Sequence, residues 1–292
     1  MYGPPFMWDL YRTFPHVVDV LRPWCGKARE DVIGDDFEQV EEAEILIRLD
    51  DERAMLADVA LPSVTFATEY LALVADTFDK SWKGNFPLFA IAVNLRTSLV
   101  LSARTIWILQ AATRLGRQER CASVLREEWK RERQSWEDIQ KVAPEPLLSE
   151  IGERLGFIKA RRDAIGHAFP AAPVLSPRYV TDTDIVGDAG AFVDEADSPA
   201  KGLEGFTSIG WKNAGLHAWR TGSGWAHGLQ WPLGLQGNSL AAYPVGYTSA
   251  WFANSFEVNY KAAYVFLEVA MHRLAEALGL DPPPASEPSV FA

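Results

Sequence analysis

Apolar residues recur at helical spacing over most of this chain, with charged residues filling the opposite faces. The run Phe37–Leu61 carries Val40, Ala43, Ile47, Met55 and Val59 on one side, and Asp35 and Asp36 suit its N-cap. Its other side, with Glu38, Glu41, Glu42, Glu44, Asp50, Asp51 and Glu52, reads as a solvated face. Pro62 suits the first turn of a second helix, which reaches Ser81 before Gly84 and Asn85 break it. Pro87–Leu115 is the most apolar stretch and the expected centre of the bundle, with Gly116 as its C-cap. Gln118–Val142 is a charged amphipathic helix, and Glu145–Ala168 follows between Pro144 and Pro170. A last long helix, Ser249–Leu278, presents Phe252, Phe256, Tyr260, Phe266 and Leu274 and closes at Gly279.

The pattern predicts a mainly α protein: a multi-helix bundle with long irregular excursions and little or no sheet. Residues 1–34 read as an aromatic, proline-rich arm with one short helix over Phe14–Leu21. Residues 169–212 lose helical patterning apart from a short helix near Asp182–Phe192. Helix resumes at Asn213 and runs to about Gly228, and Trp231–Tyr247 is irregular. We read residues 1–280 as a single helical domain: arm 1–34, bundle 35–168, excursion 169–212 and C-terminal helices 213–280. Residues 281–292 form a flexible tail. A chain of 292 residues, 48% hydrophobic, is long enough to bury a substantial core.

Charge and cysteine content narrow the partners. A net charge of −11 opposes general binding to phosphate backbones, so DNA is not expected, although a local basic groove remains compatible with it. Two cysteines, Cys25 and Cys121, are too few for a disulfide framework or thiolate site. No secretory leader pattern opens the chain, and no uncharged apolar run approaches the ~18 residues of a membrane span. The nearest, within Pro87–Ala112, is interrupted by Asn94, Arg96 and Arg104. The expectation is a cytoplasmic protein without membrane partner or cofactor. Glu268 and His272 share a helix face, but one such pair is not a metal site.

Two motifs carry candidate chemistry. In Trp219-Arg-Thr-Gly-Ser-Gly-Trp-Ala-His-Gly, helical spacing lines up Arg220, Ser223 and His227 at i, i+3 and i+7. Ser223 and His227 are four apart, within hydrogen-bonding reach. The glycines cost ~1 kcal/mol each in a helix interior, which signals a close approach by another helix or a ligand. Asn94, Ser98 and Ser102 repeat every four residues on the central helix and are expected to face this motif; their other reading is close helix packing. Nucleophilic Ser–His catalysis is disfavoured, because serine on a regular helix lacks a strained, exposed turn. The S-x3-H-G pattern is similar to one in a broad group of uncharacterised helical bacterial proteins.

The second motif is Arg162-Asp-Ala-Ile-Gly-His167. It resembles the R-x4-H signature of the HEPN superfamily, helical bundles that include metal-independent ribonucleases of bacterial defence and toxin systems. Arg220 to His227 fits the longer R-x6-H spacing. The resemblance implies RNA as substrate and a site shared by two protomers, hence a homodimer. The residue types suit that chemistry: an imidazole titrates near neutrality, and a guanidinium can hold two phosphorane oxygens. Asp163, not Arg162, shares the face of His167, since five residues turn a helix by ~140° from its start. Two readings stay open. One is an RNA-directed endoribonuclease with Arg162, His167, Arg220, Ser223 and His227 as catalytic residues and Asn94, Ser98, Ser102 and Asp163 binding. The other is a non-catalytic bundle whose motif is structural or holds a small ligand or protein partner.

Overall fold

Phe14, Val17, Leu21, Cys25 and Ala28 are spaced three or four apart and are all buried, so they form one continuous helical stripe. The computed structural model describes residues 13–33, 49–81, 88–195, 210–227 and 249–285. Its first element is a π-helical segment, His16–Leu21, that passes directly into helix α1, Arg22–Ile33. The expected irregular arm is therefore helical over this part. Pro23 explains both the misreading and the π turn. Proline lacks an N–H and its ring crowds the carbonyl four residues back, and the wider turn, with Arg22 N–H donating to Val17 O, makes room for it. The expected helix over 37–48 lies outside the described residues.

Helix α2 is a 30-residue element, Glu52–Ser81, with Pro62 inside it rather than at its start. The expected break instead falls at Asp51, whose carboxylate accepts the Arg53 N–H at 2.9 Å and caps the new helix. Around Pro62, the hydroxyls of Ser63 and Thr65 donate to the carbonyls of Val59 and Leu61, both at 2.8 Å. Packing on α1 and on the next two long helices holds the element through the proline. By length and composition Glu52–Thr77 could cross a bilayer, but 61% of that window is buried inside the fold, as in a core helix of a bundle.

Helix α3, Leu88–Leu109, is the hub. It packs against α2, against α4 (Arg114–Gln140), against α6 (Asp182–Glu195), against α7 (Gly210–Ala226) and against α8 (Ser249–Leu278). It ends six residues before the expected limit. Thr113 takes over as N-cap of α4, its hydroxyl accepting the Gly116 N–H at 3.0 Å, so Gly116 opens a helix instead of closing one. Helix α5, Leu148–Ala168, preceded by a 3-10 turn at Glu145–Leu147, folds back on α4 as a hairpin. Ile151, Ile158 and Ile165 face inward, and Arg154 Nε donates to Glu132 at 3.0 Å across the pair.

Helix α7 meets α6 at Gly190 and α8 at Gly215. A Cβ on Gly190 would lie 2.6 Å from Lys212 Cα, and one on Gly215 would lie 2.8 Å from Phe266 Cζ. The Asp194 carboxylate caps α7 by accepting the N–H groups of Trp211 and Lys212, at 2.6 and 3.1 Å. Helix α8 buries Tyr260, Tyr264 and Phe266 completely. Each such side chain contributes about 1.5–3 kcal/mol of apolar burial. Gly279, at φ 67°, turns the chain out of α8 as expected, with Leu280 N–H returning to Ala275 O at 2.9 Å. Among the described residues there are eight α-helices and no strand, only an isolated bridge between Leu175 and Val180. The mainly α bundle is what the periodicity predicts. Residues 196–209 of the excursion, 228–248 and the end of the tail lie outside the described part.

Candidate functional site

Arg126 and Arg133 lie seven residues apart on α4, so both project from one face of that helix. Lys159, Arg162, Asp163, Gly166 and His167 span an arc of about 140° on α5. Together these seven line a groove of about 380 Å³ between the two helices. Gly166 has nothing within 4 Å of its Cβ position, so the middle of the α5 arc carries no side chain and the groove opens there. Arg162 and His167, separated around the helix, reach the same groove from either side of this gap.

The charges are lopsided. Four cations and one carboxylate line the groove, formally +3 (four less Asp163), on a chain of −11. Arg133 has Glu137 at 3.6 Å; among the described residues no ion pair joins Arg126, Lys159 or Arg162 to a carboxylate. His167 is exposed at the end of α5, and its Nδ1 lies 2.7 Å from the Asp163 carbonyl oxygen. A carbonyl can only accept, so Nδ1 carries the proton and Nε2 is the lone-pair nitrogen of the neutral ring. The partner of His167 on its own helix is thus the Asp163 backbone.

The α7 motif has a different environment. Ser223 Oγ accepts from Arg96 Nε of α3 at 2.9 Å, and the Arg96 guanidinium stacks over the Trp219 ring at 4.0 Å. Burial pushes the Arg96 pKa down. A Cβ on Gly222 would lie 2.6 Å from Arg96 Cβ, so the glycine admits α3 rather than a ligand. Arg220 and His227 are exposed, His227 ending the helix through its backbone bond to Ser223 O at 3.1 Å. Gly228 lies outside the described residues. The face that α3 turns to α7 is that of Ala92 and Arg96. Asn94, Ser98 and Ser102 lie about 100–180° around the helix from it, so the two polar stripes do not face each other. Ser98 and Ser102 are fully buried, and the Ser102 hydroxyl donates to Ser98 O at 2.8 Å. The basic groove takes no residue from α7.

Sequence reasoning missed two groups. Arg133 sits in a helix whose mixed charge reads as a solvated face, and Arg126 and Lys159 carry no separate reading; the signal for the first pair is the i, i+7 repeat of one charge sign, Arg126 and Arg133, on α4. It also missed Arg104 and Asp182, an ion pair at 2.8 Å between α3 and α6, because 78 residues separate them. At Glu268, the Tyr264 hydroxyl donates to the carboxylate at 3.2 Å and also meets His16 Nδ1 at 2.7 Å. Burial pushes the pKa of His272 down. No group of three or more metal-ligating side chains occurs among the described residues. No family model, curated protein or solved structure matches the chain.

Proposed function

We propose that the α4–α5 groove binds RNA phosphodiesters and that Arg162 and His167 cleave them without a metal. The observation that carries this reading is the concentration of basic side chains beside an oriented imidazole on a strongly acidic chain. In the proposed step His167 Nε2 takes the proton of a ribose 2′-hydroxyl. The 2′-oxygen bonds to phosphorus, the bond to the 5′-oxygen breaks, and that oxygen takes a proton from solvent. The products are a 2′,3′-cyclic phosphate and a 5′-hydroxyl. Arg162 and Arg126 stabilise the charge that builds on the phosphorane oxygens.

The test is end-labelled RNA incubated with the protein in EDTA. Wild type is expected to leave cyclic-phosphate ends, and His167→Ala to slow cleavage by roughly 10²–10⁴, the usual contribution of a general base. Arg162→Ala is expected to slow it to a similar degree. An intact RNA at equimolar protein, or equal cleavage by wild type and His167→Ala, would remove the proposal. For Ser223 and the glycine beside it the packing reading has the better support, because Arg96 engages the Ser223 hydroxyl and α3 closes on Gly222 through Arg96 Cβ and Ala92 O.

A further inference from the structure

Beyond Gly279 the chain forms a short strap, Leu280–Ala285, that lies against α1 and the π-helical segment. The Trp24 indole N–H donates to Asp281 O at 2.8 Å, and His16 Nε2 lies 2.9 Å from Pro284 O. Pro282, Pro283 and Pro284 have no N–H, so over these residues the strap's backbone offers only acceptors. The other ring nitrogen, His16 Nδ1, lies 2.7 Å from the Tyr264 hydroxyl, and that hydroxyl lies 3.2 Å from Glu268 Oε1, one turn along α8. Tyr264 and Glu268 are 0% and 1% exposed, whereas Pro284 is at the surface. A chain of three contacts therefore leads from the strap, through His16 and Tyr264, to a buried carboxyl group.

Three contacts in a row need three hydrogens. The carbonyl and the carboxylate only accept, a neutral imidazole brings one hydrogen and the phenol one. The set is one proton short unless the imidazole is charged or the carboxyl is protonated. With the extra proton on the imidazole, His16 donates to Pro284 O and to the Tyr264 oxygen, and Tyr264 donates to Glu268. Without it two arrangements remain. If Nε2 keeps its hydrogen for Pro284 O, Tyr264 donates to Nδ1 and turns an oxygen lone pair toward the buried carboxylate. If the hydrogen moves to Nδ1, Tyr264 still serves Glu268, but the Nε2 lone pair faces Pro284 O. The second arrangement wins, because a bond lost at a buried charged acceptor costs more than one lost at a surface carbonyl.

We propose that His16, Tyr264 and Glu268 form a one-proton latch that fastens the C-terminal strap and frees Pro284 when the proton leaves to solvent. A free imidazole takes its second proton only below about pH 6.5, so the latch is closed below that pH and opens as pH rises above it. The other charged groups around it are Asp19 on the π-helical segment, Asp281 in the strap, and His272 and Glu276 on α8. Arg273 is paired with Glu276 at 2.9 Å, and Arg22 of α1 with Glu69 of α2 at 2.7 Å. Burial pushes the pKa of His272 down, so that imidazole changes charge on the acid side of the latch. The inference goes beyond the cleavage reading and does not depend on it.

The experiment places a nitroxide label on Ala285→Cys in the full chain, where Cys25 and Cys121 are buried, and follows its mobility by electron paramagnetic resonance. Between pH 6 and pH 8.5 the ratio of mobile to immobile label is expected to rise roughly 2- to 10-fold, the worth of one hydrogen bond. Glu268→Gln supplies the missing hydrogen from its amide at either pH. Tyr264→Phe uncouples His16 from Glu268, so a neutral imidazole keeps its Nε2 hydrogen for Pro284 O. In both variants the label is expected to stay immobile at pH 8.5, and Tyr264→Phe leaves His272 in place as a control. A wild-type ratio that does not change with pH, or release at pH 8.5 that persists in a variant melting like wild type, overturns the inference.

Discussion

Individual side chains divide between those that tie helices together and those that are left to act. Arg96 belongs to the first group: it stacks on Trp219 and donates to Ser223, and only a planar guanidinium can do both at once. His167 belongs to the second, with one nitrogen tied to its own helix and the other open. His272 is a third kind, a half-buried imidazole whose Nε2 has no hydrogen-bond partner among the described residues. Burial holds its pKa below the ordinary 6.5, against Glu268 and Glu276, which raise it, and with His16, which lowers it further. A folded pKa below the unfolded one means that the unfolded chain binds the proton more readily. The contribution is therefore fully present above pH 6.5 and declines as pH falls below it. Between pH 7 and pH 5 the melting temperature of wild type should drop further than that of His272→Gln; parallel curves would show that His272 does not titrate in this way.

Helices respond to glycine in opposite senses depending on what lies beside them. On α5, Gly152 and Gly156 have nothing within 4 Å of their Cβ positions. Alanine there adds helix propensity of ~1 kcal/mol without contact. On α7, a Cβ at Gly222 collides with Arg96 Cβ at 2.6 Å and approaches Ala92 O at 3.2 Å. Overpacking of this kind costs about 1–3 kcal/mol and exceeds the propensity gain. Thermal melts should thus rise by about 2–4 °C for Gly152→Ala and fall for Gly222→Ala. A stabilised Gly222→Ala would mean that α3 and α7 are not in contact. Sequence alone could name the cost of these glycines, since that follows from the residue type, but not which were filled by a neighbour.

At the scale of the whole molecule, a net charge of −11 contrasts with the basic groove between α4 and α5. A polyanion is repelled at long range by the −11 charge and attracted locally by Arg126, Arg133, Lys159 and Arg162. Single-strand binding that neutralises four phosphates should give log K against log salt a slope of about −3, from about −0.7 per phosphate. The double variant Arg126→Ala/Lys159→Ala should halve it to about −1.5. A slope that does not respond to these substitutions places RNA elsewhere on the protein.

The periodicity of apolar residues carried the helical class, the whole of α8 and the span of α5, because a long amphipathic or buried stripe reports its own period. It placed the end of α8 at Gly279 correctly and misplaced the boundaries read from Pro62 and Gly116. Pro62 did not start a helix, because neighbouring helices and back-bonding hydroxyls hold α2 together, and Gly116 did not end one, because Thr113 caps α4. The R-x4-H and S-x3-H-G motifs were visible as residue types, and their difference was not. Arg162 and His167 line a basic groove because α4, folded back on α5 as a hairpin, brings Arg126 and Arg133 beside them. Ser223 is committed to packing because α3 brings Arg96 against it. Periodicity is a property of one helix; what faces a side chain is a property of its neighbours, and chain spacing does not encode it.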